Sequence, residues 1–174
     1  MEAMTLSART RPAAASFAVT AEEHLDDVNA YLVYLTRDVS LAEDLTAETF
    51  EKAFRQWGRF DPGRGNARTW LCQIARSTAL DWFRAEERRR RRERAAASPE
   101  AQDAHFVEGL SPSLERALGE LTAGEREVIA LRILLELDNE SAARVLGISP
   151  TASSTRLSRA LKRLEEKVGG DVLV

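Results

Sequence analysis

Arg156, Arg159 and Arg163 recur at steps of three and four, so on a helix they form one stripe, flanked by a second stripe of Leu157, Leu161, Leu164 and Val168. A row of guanidinium groups suits phosphate oxygens and guanine edges. Ser153, Ser154 and Thr155, at the start of the same segment, add hydroxyls that bond bases or phosphates. A second cation set, Arg84, Arg88, Arg89, Arg90, Arg91, Arg92 and Arg94, crowds one end of another helical segment. Its natural partner is a polyanion, through charge neutralisation and counterion release. Trp70, Trp82 and Phe83 precede or adjoin that run, and aromatic faces beside cations hold unstacked bases. Trp70 and Trp82 fit a core stripe, whereas Phe60 lies in a Gly-rich stretch where burial is harder and is the better candidate to touch a base. Each arginine set, taken alone, fits a solvated charged face equally well.

Bond-making chemistry finds no comparable pattern. His24 and His105 stand in unrelated contexts without a nucleophile motif, and no P-loop or dinucleotide fingerprint occurs. Glu22, Glu23, Asp26, Asp27, Glu43, Asp44 and Glu48 read as a solvated or protein-binding face rather than a metal site. No catalytic residue, metal or cofactor is therefore expected. The single Cys72 excludes an internal disulfide and points to a reducing cytoplasm.

The elements that must hold these side chains are helices. Leu25, Val28, Leu32 and Leu35 mark a first amphipathic helix, and Ser40 with Glu43 forms a capping-box pattern ahead of a second that buries Leu45, Phe50, Ala53, Phe54 and Trp57. Pro62, Gly63 and Gly65 break the helix into an exposed loop. A long helix then runs from Ala67 through Arg94, with Leu71, Ile74, Thr78 and Trp82 on one face. Beyond an Ala, Ser, Pro and Glu-rich linker, Ser111-Pro112 and the Thr122/Glu125 pair start two short helices. Asp138 caps a third that Gly147 ends, and Ser149-Pro150 starts a fourth, which makes a helix-turn-helix. The turn before the Arg156 stripe favours the DNA reading of that stripe.

The 174 residues, with 44% hydrophobic and 30% charged, suffice for two small modules and a core. A net charge of -3 conceals strong local blocks: residues 21 to 51 carry nine acids and one base, residues 52 to 94 thirteen bases and five acids. A polyanion responds to the local patch, so the overall acidity does not exclude nucleic acid. No apolar run reaches the roughly 18 residues that span a bilayer. Residues 1–20 lack the apolar stretch of a secretory signal and read as a flexible tail.

Four motif blocks occur in a fixed order: DLTAETFEKAF from Asp44 to Phe54, ARTWLCQIARSTALDWFR from Ala67 to Arg84, EREVIALR from Glu125 to Arg132, and ARVLGIS from Ala143 to Ser149. They resemble bacterial sigma factors of the extracytoplasmic-function (ECF) group in the sigma-70 family, over about Glu22 to Arg94 and Leu114 to Leu164. The resemblance implies an all-α protein of two small helical domains joined by a flexible linker, the second a helix-turn-helix. The expected organisation is a tail at 1–20, sigma region 2 at 21–94, a linker at 95–111, region 4 at 112–168 and a C-terminal tail at 169–174.

The resemblance further implies a cytoplasmic protein that binds core RNA polymerase, recognises the minus-thirty-five and minus-ten promoter elements and promotes strand opening. The implied partners are the beta-prime clamp helices and beta flap of polymerase, promoter DNA and an anti-sigma factor, without membrane insertion. Candidate polymerase contacts are Asp44, Glu48, Lys52, Arg55 and Gln56. Candidate minus-ten contacts are Phe60, Asn66, Ser77, Asp81, Arg84 and Arg88. Candidate minus-thirty-five contacts are Ser153, Ser154, Thr155, Arg156, Arg159 and Arg163. The chain departs from the family at Ser77, often Asn, at Ala47, often Gln, and at Glu136, where Gly is common. It departs again at Ser153 and Ser154, where an apolar residue and a Lys are common. A helix-turn-helix regulator that never engages polymerase is the alternative, and a helical adaptor a third reading. Opposite charge blocks on both halves also suggest that the modules pack on one another or on an inhibitor when free of polymerase.

Overall fold

The computed structural model describes residues 7–94 and 111–170, and every regular element in them is helical. Helix α1 spans Ser7–Thr36 and ends where Arg37 turns left-handed at φ 58°. Val28, Tyr31 and Leu32 are its buried stripe, while Leu25, expected there, is 47% exposed. The helix begins inside the stretch read as a tail. Phe17 explains why: it is buried, with ring centroids 5.3 Å from both Phe54 and Trp57. Phe54, expected inside, is instead 53% exposed, with its ring beside Phe17 of α1.

Helix α2 spans Val39–Gln56 and is capped by Asp38, whose side chain accepts the Leu41 amide at 3.0 Å. The Ser40/Glu43 box expected from the sequence is therefore not the cap, because Asp38 in extended conformation satisfies the free amides first. Two short 3-10 turns, Trp57–Arg59 and Pro62–Arg64, shape the following loop, and Asp61 accepts the Gly63 amide at 2.9 Å inside it. Helix α3 spans Ala67–Arg94, with Asn66 Oδ1 accepting the Thr69 amide at 2.7 Å at its start.

In the second half the local signals act as expected. Ser111 caps α4, Pro112–Gly119; Thr122 and Glu125 form a reciprocal capping box on α5, Ala123–Ile129; Asp138 caps α6, Asn139–Leu146; and Gly147 closes it at φ 67°. Ser149 Oγ accepts the Ala152 amide at 3.2 Å at the start of α7, Pro150–Gly170. Between α5 and α6 the chain loosens into a π-helical turn over Ala130–Leu134, then passes through Glu136 at φ 50°, the position where the family commonly has Gly. Arg132 donates to the Leu137 carbonyl and closes this turn. Of the linker expected at 95–111 and the C-terminal tail expected at 169–174, residues 95–110 and 171–174 lie outside the described residues, while Ser111 caps α4 and α7 runs on to Gly170.

The two halves touch. Helices α1 and α3 pack on α5 and α6, and the buried side chains form one connected cluster that includes Leu45 and Leu71 of the first half and Val128, Leu131 and Ala160 of the second. Within the first half, Arg68 reaches Asp27 at 3.3 Å, tying α3 to α1. Cys72 is fully buried between them, and burial, with the nearby Asp27 charge, pushes its thiol up to about 12, so it stays protonated and unreactive.

Candidate nucleic-acid interface

The loop after α2 and the exposed side of α3 build one surface. Phe60 is half-buried: its ring stacks on Trp57 at 5.1 Å with planes 15° apart and lies 5.2 Å from Trp70. The aromatic candidate is thus held by two indoles, which fixes the ring without ordering it anew when a base arrives. Phe60, Asn66, Trp70 and Gln73 line a cavity of about 240 Å³. Trp70 and Gln73 also line a groove of about 350 Å³ whose other walls are Lys52, Gln56, Ser77 and Asp81. Trp70 and Gln73 thus stand between the loop cavity and the α2 side of the groove. Gln73 was not singled out from the sequence. The signal that finds it is helical spacing, since residues 66, 73, 77, 81, 84 and 88 repeat at the steps that place Ser77, Asp81 and Arg84 on one side.

Asn66 spends its carbonyl on capping α3, leaving its amide group for any other task. Asp81 is paired with Arg84 at 3.3 Å. Lys52 is more committed than a surface cation: its Nζ lies 2.7 Å from Glu48 and donates to Thr78 at 3.2 Å, so it braces α2 against α3. Asp44, Glu48, Arg55 and Gln56 are exposed on α2, with Arg55 paired to Glu51.

The arginine run is an exposed helix end threaded with carboxylates. Arg89 and Arg90 reach Glu86 at 2.9 Å each and Arg91 reaches Glu87 at 2.6 Å. Hydrogen bonds from Arg90 and Arg89 hold Glu86 below the usual carboxylate range. Ion pairs on a solvated helix face are weak, so phosphate can compete for the arginines. Among the described residues no carboxylate bridges to Arg88 or Arg92.

On α7 the face divides as the two stripes imply, with one correction. Ser153 is fully buried and its hydroxyl has no partner, because it shares the inward stripe with half-buried Leu157, buried Ala160 and half-buried Leu164. It is removed from the DNA-contact set, and its inward position accounts for the apolar residue common there in the family. Ser154, Thr155 and Arg159 are exposed and Arg156 is half-buried. Thr155, Arg156 and Arg159 line an open groove of about 650 Å³ with Thr122, Gly124 and Ser149. Arg163 is held by Glu125 at 3.0 Å. Burial raises the Glu125 carboxyl, but the Thr122 amide and hydroxyl and Arg163 outweigh it, and the group lies below its ordinary range. No cluster of three or more potential metal ligands occurs among the described residues.

Comparison with known proteins finds matches over both halves of the chain. The Sigma-70 region 2 profile matches residues 20–89 and the Sigma-70, region 4 profile residues 105–164. The ECF RNA polymerase sigma factor SigM of Bacillus subtilis is 30% identical over 151 residues, covering 82% of this chain and 88% of that protein. The chain belongs to the ECF sigma factors. SigC of Mycobacterium tuberculosis, another ECF sigma factor, is 36% identical over 137 residues, covering 77% of this chain and 73% of SigC. Among solved structures, the sigma factor RpoE of Bartonella quintana, in complex with the anti-sigma factor NepR, superposes with a TM-score of 0.73 at 26% identity, covering 88% of this chain and 97% of that one. This sigma factor therefore acts in promoter recognition and transcription initiation, with core RNA polymerase and promoter DNA as partners, and the match to region 2 disfavours a regulator that never engages polymerase. Among the described residues no helix is long and apolar enough to cross a membrane.

Proposed function

We propose that residues 21–94 bind the beta-prime clamp helices through Asp44, Glu48, Arg55 and Gln56 and capture a flipped base of the minus-ten element at the Phe60–Asn66 loop. Lys52 stands between the two surfaces. Ser77, Asp81 and Gln73 face the captured nucleotide, while Arg84, Arg88 and the rest of the run hold phosphates. Across the linker at 95–111, residues 112–168 read the minus-thirty-five element through Ser154, Thr155, Arg156, Arg159 and Arg163, and contact the beta flap. The observation that supports this reading is that Trp70 and Gln73 line both the loop cavity and the α2/α3 groove, whose walls include Lys52 and Gln56 of α2. Binding a base outside the stack favours the unpaired strand, so opening proceeds by selecting that state, without ATP and without bond-making by this chain. The protein works in the cytoplasm. The complex of a similar sigma factor with an anti-sigma factor supports the same kind of partner here.

Phe60→Ala tests the base-capture step. Closed-complex formation with core polymerase should stay near wild type. Permanganate reactivity of promoter thymines should fall about tenfold or more, since a base stacked on an aromatic ring contributes about 1–3 kcal/mol. Phe60→Leu, which keeps apolar bulk against Trp57 and Trp70, should show the same split. Equal losses in both assays would overturn the role.

A further inference from the structure

We infer that Phe17, on the N-terminal arm of α1 that lies ahead of the region 2 match, is a positioning residue for promoter opening: it holds Trp57 in place and, through Trp57, the Phe60 ring that takes the base. The inference rests on Phe60 being the base-capturing residue.

The arm continues a buried stripe. Phe17, Ala21, His24, Val28 and Tyr31 recur at steps of four and three, so they share one side of α1. Phe17, Val28 and Tyr31 are buried and Ala21 and His24 half-buried, whereas Ala18, Val19, Glu22 and Glu23 face solvent. The stripe that seats α1 on α2 and α3 therefore runs past residue 20, where the family match starts, and reaches Phe17. A ring carried on a helix seated in this way has a fixed place. With 8% of its surface exposed, Phe17 is not itself offered to DNA.

The neighbours of that ring give it a task. Its centroid lies 5.3 Å from Trp57, edge to face at 69°, and 5.3 Å from Phe54. Trp57 in turn carries Phe60: the two rings stack at 5.1 Å, and the Phe60 amide donates to the Trp57 carbonyl at 3.1 Å. Trp70 of α3 lies 5.9 Å from Trp57 and 5.2 Å from Phe60. Trp57 is thus held between α1 and α3, and both the ring and the backbone of Phe60 depend on it. The segment has little else to fix it. It consists of the two short 3-10 turns, the first without a side-chain cap and with Gly58 and Arg59 exposed. Removing the Phe17 ring leaves a gap on one side of Trp57, the indole gains room to tilt, and Phe60 moves with it. A ring that must be ordered as the base arrives takes that cost out of the binding energy.

The test uses the full chain assembled with core polymerase, with permanganate reactivity of promoter thymines reporting opening and fluorescence anisotropy reporting closed-complex formation. Phe17→Ala should leave closed-complex formation near wild type and lower permanganate reactivity about three- to tenfold, the contribution of one aromatic pair. Phe17→Tyr, which keeps the ring, should restore opening. In the Phe60→Ala background, Phe17→Ala should add no further loss, because its effect passes through the Phe60 ring. A purely structural role would instead lower both assays together and add to the loss in the Phe60→Ala chain. Phe17→Leu, a milder change, carries the same comparison should Phe17→Ala fail to fold. Opening at the wild-type level in Phe17→Ala, equal losses in both assays, no rescue by Phe17→Tyr, or an additive loss in the double variant would overturn the positioning role. A deficit in Phe60→Ala with none in Phe17→Ala overturns this role alone, whereas wild-type opening in Phe60→Ala overturns the base-capture reading with it.

Discussion

Arg159 and Arg163 sit on the same stripe of α7 but not in the same circumstances. Arg159 is exposed beside the open groove, whereas Arg163 is bound to Glu125 at 3.0 Å and must leave that partner to reach DNA. Arg159→Ala should therefore cost about 1–3 kcal/mol of binding to upstream promoter duplex, and Arg163→Ala distinctly less, as fluorescence anisotropy would report. Equal losses would contradict the division. The cation stripe was legible because spacing alone puts these residues on one side. The fate of Ser153 was not, since a hydroxyl looks the same on either side of a helix, and only the neighbouring core decides that it points inward. Phe60 was legible as a loop aromatic, but its stacking on Trp57 and Trp70 depends on how α2 and α3 converge, which spacing does not specify.

Helix ends were readable wherever the deciding hydrogen bond is local. Ser111, Thr122, Asp138 and Gly147 all act within three or four residues of themselves. The Ser40 box failed because Asp38, two residues earlier, had the better conformation, and backbone conformation there follows from the end of α1. Asp138 lies below the usual carboxylate range because it accepts from the Ser141 amide and then from the Ser141 hydroxyl. Asp138→Ala should cost about 1 kcal/mol near neutral pH. A depressed folded-state pKa means the contribution is present above the unfolded value near 4 and fades as pH falls through the folded one. The melting difference between wild type and Asp138→Ala should thus shrink toward pH 3. A gap that stays constant would show that the ionised cap is not its source. Glu136 has φ 50° in the turn after the π-helical segment, a conformation that strains a side chain and not glycine. Glu136→Gly should stabilise by about 0.5–1 kcal/mol, raising Tm by roughly 1–4 °C in calorimetry. A lower Tm would mean that the Glu136 side chain holds the turn in another way.

At the scale of the whole molecule, the acidic and basic blocks suggested packing of the halves on one another or on an inhibitor, but carried no information on where the halves meet. The Tyr31, Arg76 and Glu127 contact joins residues far apart in sequence, and no periodicity carries that information. The extension of α1 back to Ser7 was missed for a related reason: Phe17 finds its partners in Phe54 and Trp57, far along the chain. The matches to sigma regions 2 and 4 put polymerase binding and promoter recognition on a single polypeptide, and the proposed base capture and upstream readout divide that task between its two surfaces. Reconstitution of the purified chain with core RNA polymerase, followed by genome-wide run-off transcription, tests that claim most directly. Discrete start sites sharing two spaced upstream motifs, absent with core alone and lost with Arg159→Ala, are the predicted result. Transcripts indistinguishable from those of core alone would contradict it.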